Sequence, residues 1–476
     1  MAKFDLVISG GRILDAASGL DALRDIGITS GRIAAVAEEL DPGDADDIID
    51  ASGRWVMPGM IDPHVHVSWA FAGITDPTVG LRMVVEAGAT TAIDLGGDIS
   101  TLIDGIGRSG SGLTVGGLGM LRPGYTLPKD DPPMPVIREV LASALTAGSL
   151  GLKMWGGYYP FTPEVTANII AACNEARAYV AFHVGTKETG SRLDGLREVP
   201  GLLGADGRVH IAHVNAYCRG SILPPNEEVR ESLEIIDGLR GRVVSEVHMA
   251  TPNFTLGSCD SEGNAMADVV KNCLRLRGYP PTADGIRSAI RDGYGSAVVQ
   301  SGGRMQLVNG AEGVTVFDAA ETNVALSFPV NRADTAFQLT AAKRGDGSFI
   351  IDAVGSDAGV FPRNVNIEKT MAMVRFGALE PLDMAAKLSY NPALMLGLAR
   401  KGRMSEDADA DFTIIDPVQG RAVMSLASGK VIMVDGRAVG AGGTLLITGQ
   451  GEAAVKQAGV KYEVVDVSHA LMYQGA

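Results

Sequence analysis

The chain has 476 residues, 46% hydrophobic and 20% charged, which is typical of a globular protein with a large buried core. Its formal charge of -15 argues against nucleic acid as a partner, because phosphate binding requires a basic surface. No apolar run is long enough for a membrane span, and the N-terminus lacks the apolar segment of a signal peptide. With four cysteines and no CxxC pair, we expect a cytoplasmic protein with reduced thiols and no membrane partner.

In chain order, short strands and glycine turns fill residues 4–55, as in antiparallel β structure. Apolar runs then alternate with helical stretches up to about residue 400. Short strands return after Lys401, at 412–415 and 430–434. We therefore predict a small composite β-sandwich domain from residues 1–55 and 401–476, and a catalytic domain from residues 56–400.

The middle part contains eight apolar runs of strand length, at 56–63, 90–96, 113–121, 150–155, 179–184, 208–215, 243–250 and 349–357. Eight such units predict an α/β fold, a (β/α)8 TIM barrel, whose chemistry lies at the carboxyl ends of its strands. A doubly wound open sheet is the competing fold, but no strand is followed by GxGxxG. The long stretch 251–348 is expected to cover part of the site or to make subunit contacts.

The first run ends in two histidines one residue apart, His64 and His66. Residues i and i+2 of a strand point to the same side, so the pair can bind one metal ion. The fourth run carries Lys153, and a lysine in a buried strand is unfavourable unless it is paired or uncharged. A neutral amine can add carbon dioxide to form a carbamate that bridges two cations, although a lysine can also extend to solvent.

Three further runs end in residues that can bind metals. His183 ends the fifth run, His213 lies in the sixth and Asp357 ends the eighth. Imidazole suits zinc and related ions, and carboxylates suit harder ions, so zinc is the default while manganese, iron and cobalt stay open. Several such residues at successive strand ends indicate a metal site.

Four segments in matching order carry a family resemblance: Asp5–Ile13, Pro58–His66, Ala353–Asp357 and Asn391–Leu398. With them, the chain resembles the amidohydrolase superfamily, in the cyclic amidase branch of hydantoinases, dihydropyrimidinases, allantoinases and dihydroorotases. The resemblance implies hydrolysis of carbon–nitrogen bonds other than peptide bonds, in cyclic amides (EC 3.5.2.-). It also implies a small-molecule amide substrate and a homo-oligomer, either a dimer or a tetramer.

The resemblance further implies a binuclear centre of two divalent ions, zinc by default, whose bridging hydroxide attacks the amide. The implied ligands are His64 and His66 on the first ion, carboxylated Lys153 between the ions, His183 and His213 on the second, and Asp357 on the first. Two of the implied residues are catalytic. Asp357 moves a proton, and Tyr158 contacts the tetrahedral intermediate.

Departures from the family pattern leave the substrate open. Dihydroorotases have an arginine where this chain has Ser68, and a histidine soon after the residue matching Asp357, which argues against dihydroorotate. The short interval from His183 to His213 is more like that of deacylases and isoaspartyl dipeptidases, so hydrolysis of a linear N-acyl amino acid or dipeptide is the alternative. A metal-free, dihydropyrimidinase-like assembly protein is a further alternative, but all six ligand types are present.

Other residues have weaker expectations. An aromatic pocket wall is expected from Trp69, Phe71, Trp155 and Tyr158. Arg363 could bind an anionic substrate, although an arginine in a loop is usually solvated. The remaining expectations are that Asp62 supports the first ligands, His210 faces the helix layer, His248 is supporting or structural, and His469 is exposed.

Overall fold

The computed structural model describes residues 3–68 and 76–474. The expected aromatic residues Trp69 and Phe71 lie outside these ranges. The N-terminal part forms five strands, which are β1 (Phe4–Asp15), β2 (Leu20–Thr29), β3 (Arg32–Ala37), β4 (Ala45–Asp50) and β5 (Trp55–Pro58). β1 pairs antiparallel with β2, and parallel with β4 and β5.

Seven parallel strands follow, each paired with the next along the chain. They are β6 (Met60–His66), β7 (Ala89–Gly97), β8 (Thr114–Met120), β9 (Gly151–Trp155), β10 (Tyr179–His183), β11 (Val209–Ile211) and β12 (Val243–Val247). The first apolar run is thus divided between β5 and β6 at Gly59. A Cβ at Gly59 would lie 2.1 Å from Oγ1 of Thr90, so only glycine fits where the chain changes sheets.

Most of the stretch between the seventh and eighth barrel strands forms a separate small layer, which we call the insertion (residues 251–332). Its strands are β13 (Thr255–Leu256), β14 (Ser296–Ser301), β15 (Arg304–Val308) and β16 (Ala325–Ser327), hydrogen-bonded in the order β13-β16-β14-β15. Three helices, Asp268–Arg275, Ala283–Arg291 and Gly310–Ala319, complete it. Its apolar core includes the fully buried Phe317 and Phe328.

The eighth barrel strand is interrupted next to the predicted ligand Asp357. Its first piece, β17 (Ala353–Val354), pairs with β12, and its second piece, β18 (Ala358–Gly359), pairs with β6. The parallel sheet therefore closes on itself with eight strand positions, which confirms the predicted barrel.

Helices alternate with the barrel strands and cover their outer faces. They are Pro77–Glu86, Ile99–Ser109, Met134–Ala147, Pro163–Glu175, Leu193–Leu203, Pro225–Gly238, Ala333–Ala341 and Asn366–Arg375, followed by Pro381–Ala385, a π-helix at Ala386–Tyr390, Asn391–Leu396 and, near the end, Glu452–Gln457. The fourth shows why they form. Thr162 caps the amide of Val165, and Ile169 and Cys173, four residues apart, pack inward. No helix in the described ranges is long and apolar enough to cross a membrane.

The C-terminal part returns to the first sheet with β19 (Phe412–Asp416), β20 (Arg421–Ala427), β21 (Lys430–Val434) and β22 (Arg437–Ala438). β19 pairs antiparallel with β5, so strands from both ends of the chain form one composite β structure. Its core includes Ile8, Ile28 and Phe412, which are fully buried. This confirms the predicted sandwich from both ends.

The last described strands extend the barrel sheet. β23 (Thr444–Ile447) pairs in parallel with β8, and β24 (Tyr462–Val464) pairs with β23. Domain boundaries at residues 55 and 401 stay a prediction. We propose that residues 444–473 group with the barrel.

Candidate metal centre

All six predicted metal ligands line one cavity of about 30 Å³ at the carboxyl ends of the barrel strands. Tyr158 and Trp155 line it as well, in agreement with the expected aromatic wall. Asn253, Phe254 and Val269 of the insertion complete part of the wall, so the insertion covers the mouth as expected.

Three of these side chains converge on one point. His64 Nε2 and His66 Nε2 are 3.3 Å apart, and Asp357 Oδ1 lies 3.2 Å from the first and 3.0 Å from the second. In a tetrahedral site with Zn–N bonds of about 2.0–2.1 Å, donor atoms are separated by about 3.3 Å. The separations therefore fit one metal ion held by these three residues.

His183 and His213 form the other side of the cavity, with ring centroids 4.5 Å apart. His183 Nε2 is 2.8 Å from the hydroxyl oxygen of Ser191, which leaves Nδ1 as its atom for a metal. A ligand atom of His213 lies within 4.8 Å of those of His64 and Asp357, a spacing that can hold an ion. Burial lowers the pKa of His183 to about 3, so this imidazole is neutral and can donate its lone pair.

Lys153 is 1% exposed, and its Nζ has no hydrogen-bond partner among the residues that the structure describes. Burial lowers its pKa to about 8, although Glu246 and Asp357 favour the charged form. A buried amine without an acceptor is unfavourable as it stands. A neutral amine is also the species that reacts with carbon dioxide, so the side chain fits the predicted carbamate bridge.

The second carboxylate oxygen of Asp357 accepts a hydrogen bond from Arg363 Nη2 at 2.6 Å. Burial alone would raise the pKa of Asp357, but the charge of Arg363 and the contacts with His64 and His66 lower it well below its usual value. Arg363 is 3% exposed and also donates to the carbonyl of Pro252, so the expectation of a solvated arginine was wrong. The reason is that its loop folds over the mouth of the barrel.

Two of the predicted ligands have left-handed backbones. The φ angle is 34° at His213 and 49° at Asp357, a region that residues other than glycine rarely adopt. Such strain persists where the surroundings impose it, and it is concentrated at functional sites.

The left-handed backbone at His213 also shows why the expectation for His210 was wrong. His210 and His213 would face opposite sides of a regular strand, but β11 ends at Ile211 and His213 lies beyond it in a turned conformation. His210 is fully buried, with Nδ1 3.3 Å from the hydroxyl of Tyr179 and Nε2 3.8 Å from Glu246. It therefore lies inside the barrel, below the site, and does not face the helix layer.

Glu246 is a site residue that the sequence reading missed. Its Oε1 accepts hydrogen bonds from His64 Nδ1 at 2.6 Å and from the backbone amide of His213 at 2.8 Å. The first bond leaves the Nε2 lone pair of His64 free for a metal, and such carboxylate–histidine pairs orient metal ligands. The signal was available, because Glu246 is a charged residue inside the apolar run Val243–Val247, as Lys153 is in its own run.

Asp62 supports the ligands as expected. Its carboxylate accepts hydrogen bonds from the amide of His64 at 3.2 Å and from that of Ser356, next to Asp357, at 3.0 Å. His248 lines the cavity wall, and its amide donates to Asn215. His469 is exposed, as predicted.

Comparison with known proteins agrees with this geometry. Residues 287–439 match the amidohydrolase family model. A dihydroorotase of Pelotomaculum thermopropionicum is 27% identical over 87% of this chain and 89% of its own length, and one of Trichlorobacter lovleyi is 23% identical over 87% and 90%. The chain is therefore similar in sequence to members of the amidohydrolase superfamily. The full-length dihydroorotase relatives confirm the resemblance to its cyclic amidase branch.

Solved structures show the same fold. An N-acyl-D-glutamate deacylase from Bordetella bronchiseptica, complexed with zinc and a phosphonate inhibitor, aligns with a TM-score of 0.65 at 17% identity, covering 93% of this chain and 99% of that one. A D-hydantoinase aligns with a TM-score of 0.60 at 18% identity, covering 93% and 98%.

Proposed function

We propose that the protein is a metal-dependent hydrolase that opens the ring of a cyclic amide or imide, such as a hydantoin or a dihydropyrimidine. The observation that carries this proposal is the convergence of His64, His66, His183, His213, Lys153 and Asp357 on one cavity, with the amine of Lys153 unpaired in the described structure. The full-length relatives, which are named dihydroorotases, favour a cyclic substrate.

The proposed ligands divide between two ions. His64, His66 and Asp357 would hold the first, His183 and His213 the second, and carboxylated Lys153 both. Two divalent ions, zinc by default, would supply a water of lowered pKa and a polarised amide carbonyl. Glu246 and Asp62 would keep these ligands oriented through the hydrogen bonds described above.

Asp357 is the proposed proton carrier. Its Oδ1 faces the cavity, while Arg363 holds Oδ2 and so fixes the orientation of the carboxylate. In this position it would accept the proton of the attacking water and return it to the leaving nitrogen. Tyr158 donates its hydroxyl to the carbonyl of Phe254 at 2.9 Å, and burial raises its pKa, so it stays a donor that can turn to the developing oxyanion.

The substrate is proposed to differ from dihydroorotate. Ser68 stands where dihydroorotases have an arginine, and its amide donates to Asp94 at 3.1 Å while its hydroxyl donates to the same carboxylate. A buried serine committed to a carboxylate does not bind a second one.

A linear N-acyl amino acid is the second candidate substrate. It is favoured by one observation, the slightly better alignment with deacylase structures (TM-score 0.65) than with hydantoinase structures (0.60). The full-length sequence relatives favour the cyclic amide.

The test combines metal analysis of the purified protein with hydrolysis of hydantoins, dihydropyrimidines, lactams and N-acyl amino acids. We expect two divalent ions per chain and hydrolysis of a cyclic amide. In His183→Ala, the second ion and the hydrolysis should both be lost. His469→Ala, which removes an exposed histidine, is the matched control. A metal-free protein that hydrolyses no amide would favour the assembly protein instead. A dimer or tetramer in the cytoplasm is also proposed, to be measured by light scattering and fractionation.

A further inference from the structure

A second, larger cavity adjoins the candidate metal centre. It has a volume of about 420 Å³, within the range of small-molecule sites. Both cavities are lined by Ala216 and Arg219, so these two residues stand at the boundary between them. Ser191, which contacts His183 in the inner cavity, lines the outer one. A molecule whose amide reaches the metal centre can therefore extend into the outer cavity past Arg219.

None of the residues that the structure describes neutralises the charge of Arg219 directly. One edge of its guanidinium, Nε and Nη2, donates to Oδ1 of Asn331 at 3.1 and 2.7 Å. Asn331 is neutral, and Arg219 forms no ion pair with any residue in the described ranges. The edge formed by Nη1 and Nη2 retains donors in a fork that matches a carboxylate.

Asn331 holds the guanidinium in place. It is 3% exposed, and its side-chain amide donates to the carbonyl of Ala250 at 3.3 Å. Arg219 follows the short helix Val214–Tyr217, directly after His213. The backbone of Arg219 is thus fixed by the loop that carries His213, and its guanidinium is fixed by Asn331 of the insertion. Binding of an anion therefore costs little conformational entropy.

The outer cavity has further positive charge. Arg192 and Arg275 line it together with Arg219. Arg192 has a carboxylate, that of Asp194, only at 3.9 Å, and Arg275 is exposed with no ion pair within the part of the chain that the structure describes. In a protein with a formal charge of -15, three arginines around one cavity form a local anion-attracting surface.

We propose that Arg219 binds a carboxylate on the substrate, with the scissile amide over the metal centre and the remainder of the substrate in the outer cavity. This inference rests on the proposed function and narrows its substrate class to amides that carry a carboxylate. In this arrangement the carboxylate is bound beyond the end of the sixth barrel strand. Ser68, where dihydroorotases have an arginine, instead follows the first barrel strand. Arg192 and Arg275 attract the anion to the cavity entrance without holding it.

The test uses pairs of compounds that differ only in charge. Hydantoin-5-acetate is compared with hydantoin-5-acetamide, and N-acetylglycine with N-acetylglycinamide, using the metal-loaded protein. We expect the acid of at least one pair to be preferred. In Arg219→Gln, the KM for that acid should rise about 10- to 100-fold with little change in kcat, as for loss of a hydrogen bond to a charged group, and the KM for the amide should stay constant. Arg219→Lys should recover part of the loss.

Arg230→Gln is the matched control, because Arg230 is exposed on the helix Pro225–Gly238 and pairs only with Glu234 among the described residues. Metal content and thermal unfolding of each variant show whether it folds, and Arg219→Lys keeps the test valid if the glutamine variant does not. Binding of each compound is also measured by calorimetry. Arg219-dependent binding of the acid without hydrolysis overturns the proposed function alone. Equal KM values and equal affinities for acid and amide, or a preference that survives in Arg219→Gln, overturn the carboxylate site alone.

Discussion

The barrel mouth and the composite β structure each bury a lysine, and they do so in opposite ways. Lys401 in the composite part is 4% exposed, with Nζ 2.9 Å from Asp409 and 2.7 Å from Asp411. Lys153 at the mouth is equally buried, but its amine has no partner within the described residues. Burial favours the neutral form of both, yet Asp411 and Asp409 raise the pKa of Lys401, whereas the pKa of Lys153 falls to about 8.

The difference distinguishes a structural site from the candidate metal centre. In the composite part, the protein itself supplies the compensating charges, so the lysine is satisfied without a ligand. At the mouth, none of the described residues pairs with the amine of Lys153, and its lowered pKa makes the neutral form, which can react with an added group, more accessible. Burial of a charged residue type is therefore informative only together with its partners.

The strongest test of this comparison is Lys153→Met. We expect metal content to fall and turnover to drop by at least about 10⁴-fold, because a water that loses its metal regains a pKa several units higher. Thermal unfolding of the metal-free form should be unchanged or improved, since an unpaired buried amine is removed. Activity close to that of the wild type would show that Lys153 is no bridge and that the two lysines do not differ in role.

Asp357→Asn separates metal binding from proton transfer at the mouth. We expect the variant to retain its metal ions and to lose about 10²- to 10⁴-fold in kcat, because the amide cannot carry the proton. Metal analysis and steady-state kinetics measure the two effects. A variant with nearly normal turnover would remove the proposed role.

Lys401→Met is the counterpart in the composite part. Asp411 would lose its cation, and Asp409 would keep only Arg32 and Arg400. We expect this change to lower the free energy of unfolding by about 3–5 kcal/mol. Turnover per folded molecule should not change. Urea unfolding gives the stability, and kinetics at a temperature where the variant is folded give the turnover. A loss of turnover in the folded variant would contradict a purely structural role for Lys401.

Glu246→Gln sharpens the mouth side of the comparison. Glutamine keeps an oxygen acceptor for His64 but removes the charge, and such changes around a metal weaken its binding by about 10- to 100-fold. Competition with a chelator measures the affinity. Unchanged affinity would mean that Glu246 is an ordinary buried polar residue, like those that only hold the fold together.

The smallest effect is the pH dependence of the Lys401 contribution. Because the folded pKa lies above the ordinary value of 10.5, the stability difference between wild type and Lys401→Met is complete below pH 10.5 and is lost as the pH rises through the folded pKa. We expect the difference to shrink by about 1.4 kcal/mol per pH unit in that window. Urea unfolding at pH 9, 10, 11 and 11.5 measures it, and a constant difference across this series would contradict the pairing.

The barrel and the cluster of candidate ligands at its mouth were predictable from the sequence because both depend on local patterns, whereas the ligand roles stay a prediction from the family resemblance. An apolar strand that ends in His64 and His66 has a fixed geometry, and the same applies at His183. Residues whose position depends on tertiary structure were not predictable in this way. The position of His210 was predicted wrongly because the alternation of side chains along a strand stops where β11 ends. The position of Arg363 was predicted wrongly because packing over the mouth sets the course of its loop, where the rings of Phe361 and Phe254 stack 3.5 Å apart.

Glu246 represents an intermediate case. A charged residue in a buried strand was visible, but its partners, His64 and the amide of His213, come from other strands. The division of the first apolar run at Gly59 was also hidden, because both halves are equally hydrophobic. Their partners distinguish the two halves. β5 pairs with β1 and with β19, more than 300 residues later, whereas β6 pairs with β7.

That pairing has a consequence for the order in which the protein can be assembled during synthesis. β5 needs β19 as its neighbour, and the two strands are separated by about 350 residues of chain. At a translation rate of about 5–20 residues per second, the N-terminal strands wait roughly 20–70 s for this partner. Throughout that interval β5 has an unpaired edge beside an apolar surface, the kind of feature that chaperones bind and that promotes aggregation. A ribosome-bound nascent chain is therefore most prone to aggregation through the unpaired edge of β5 until residue 416 has emerged.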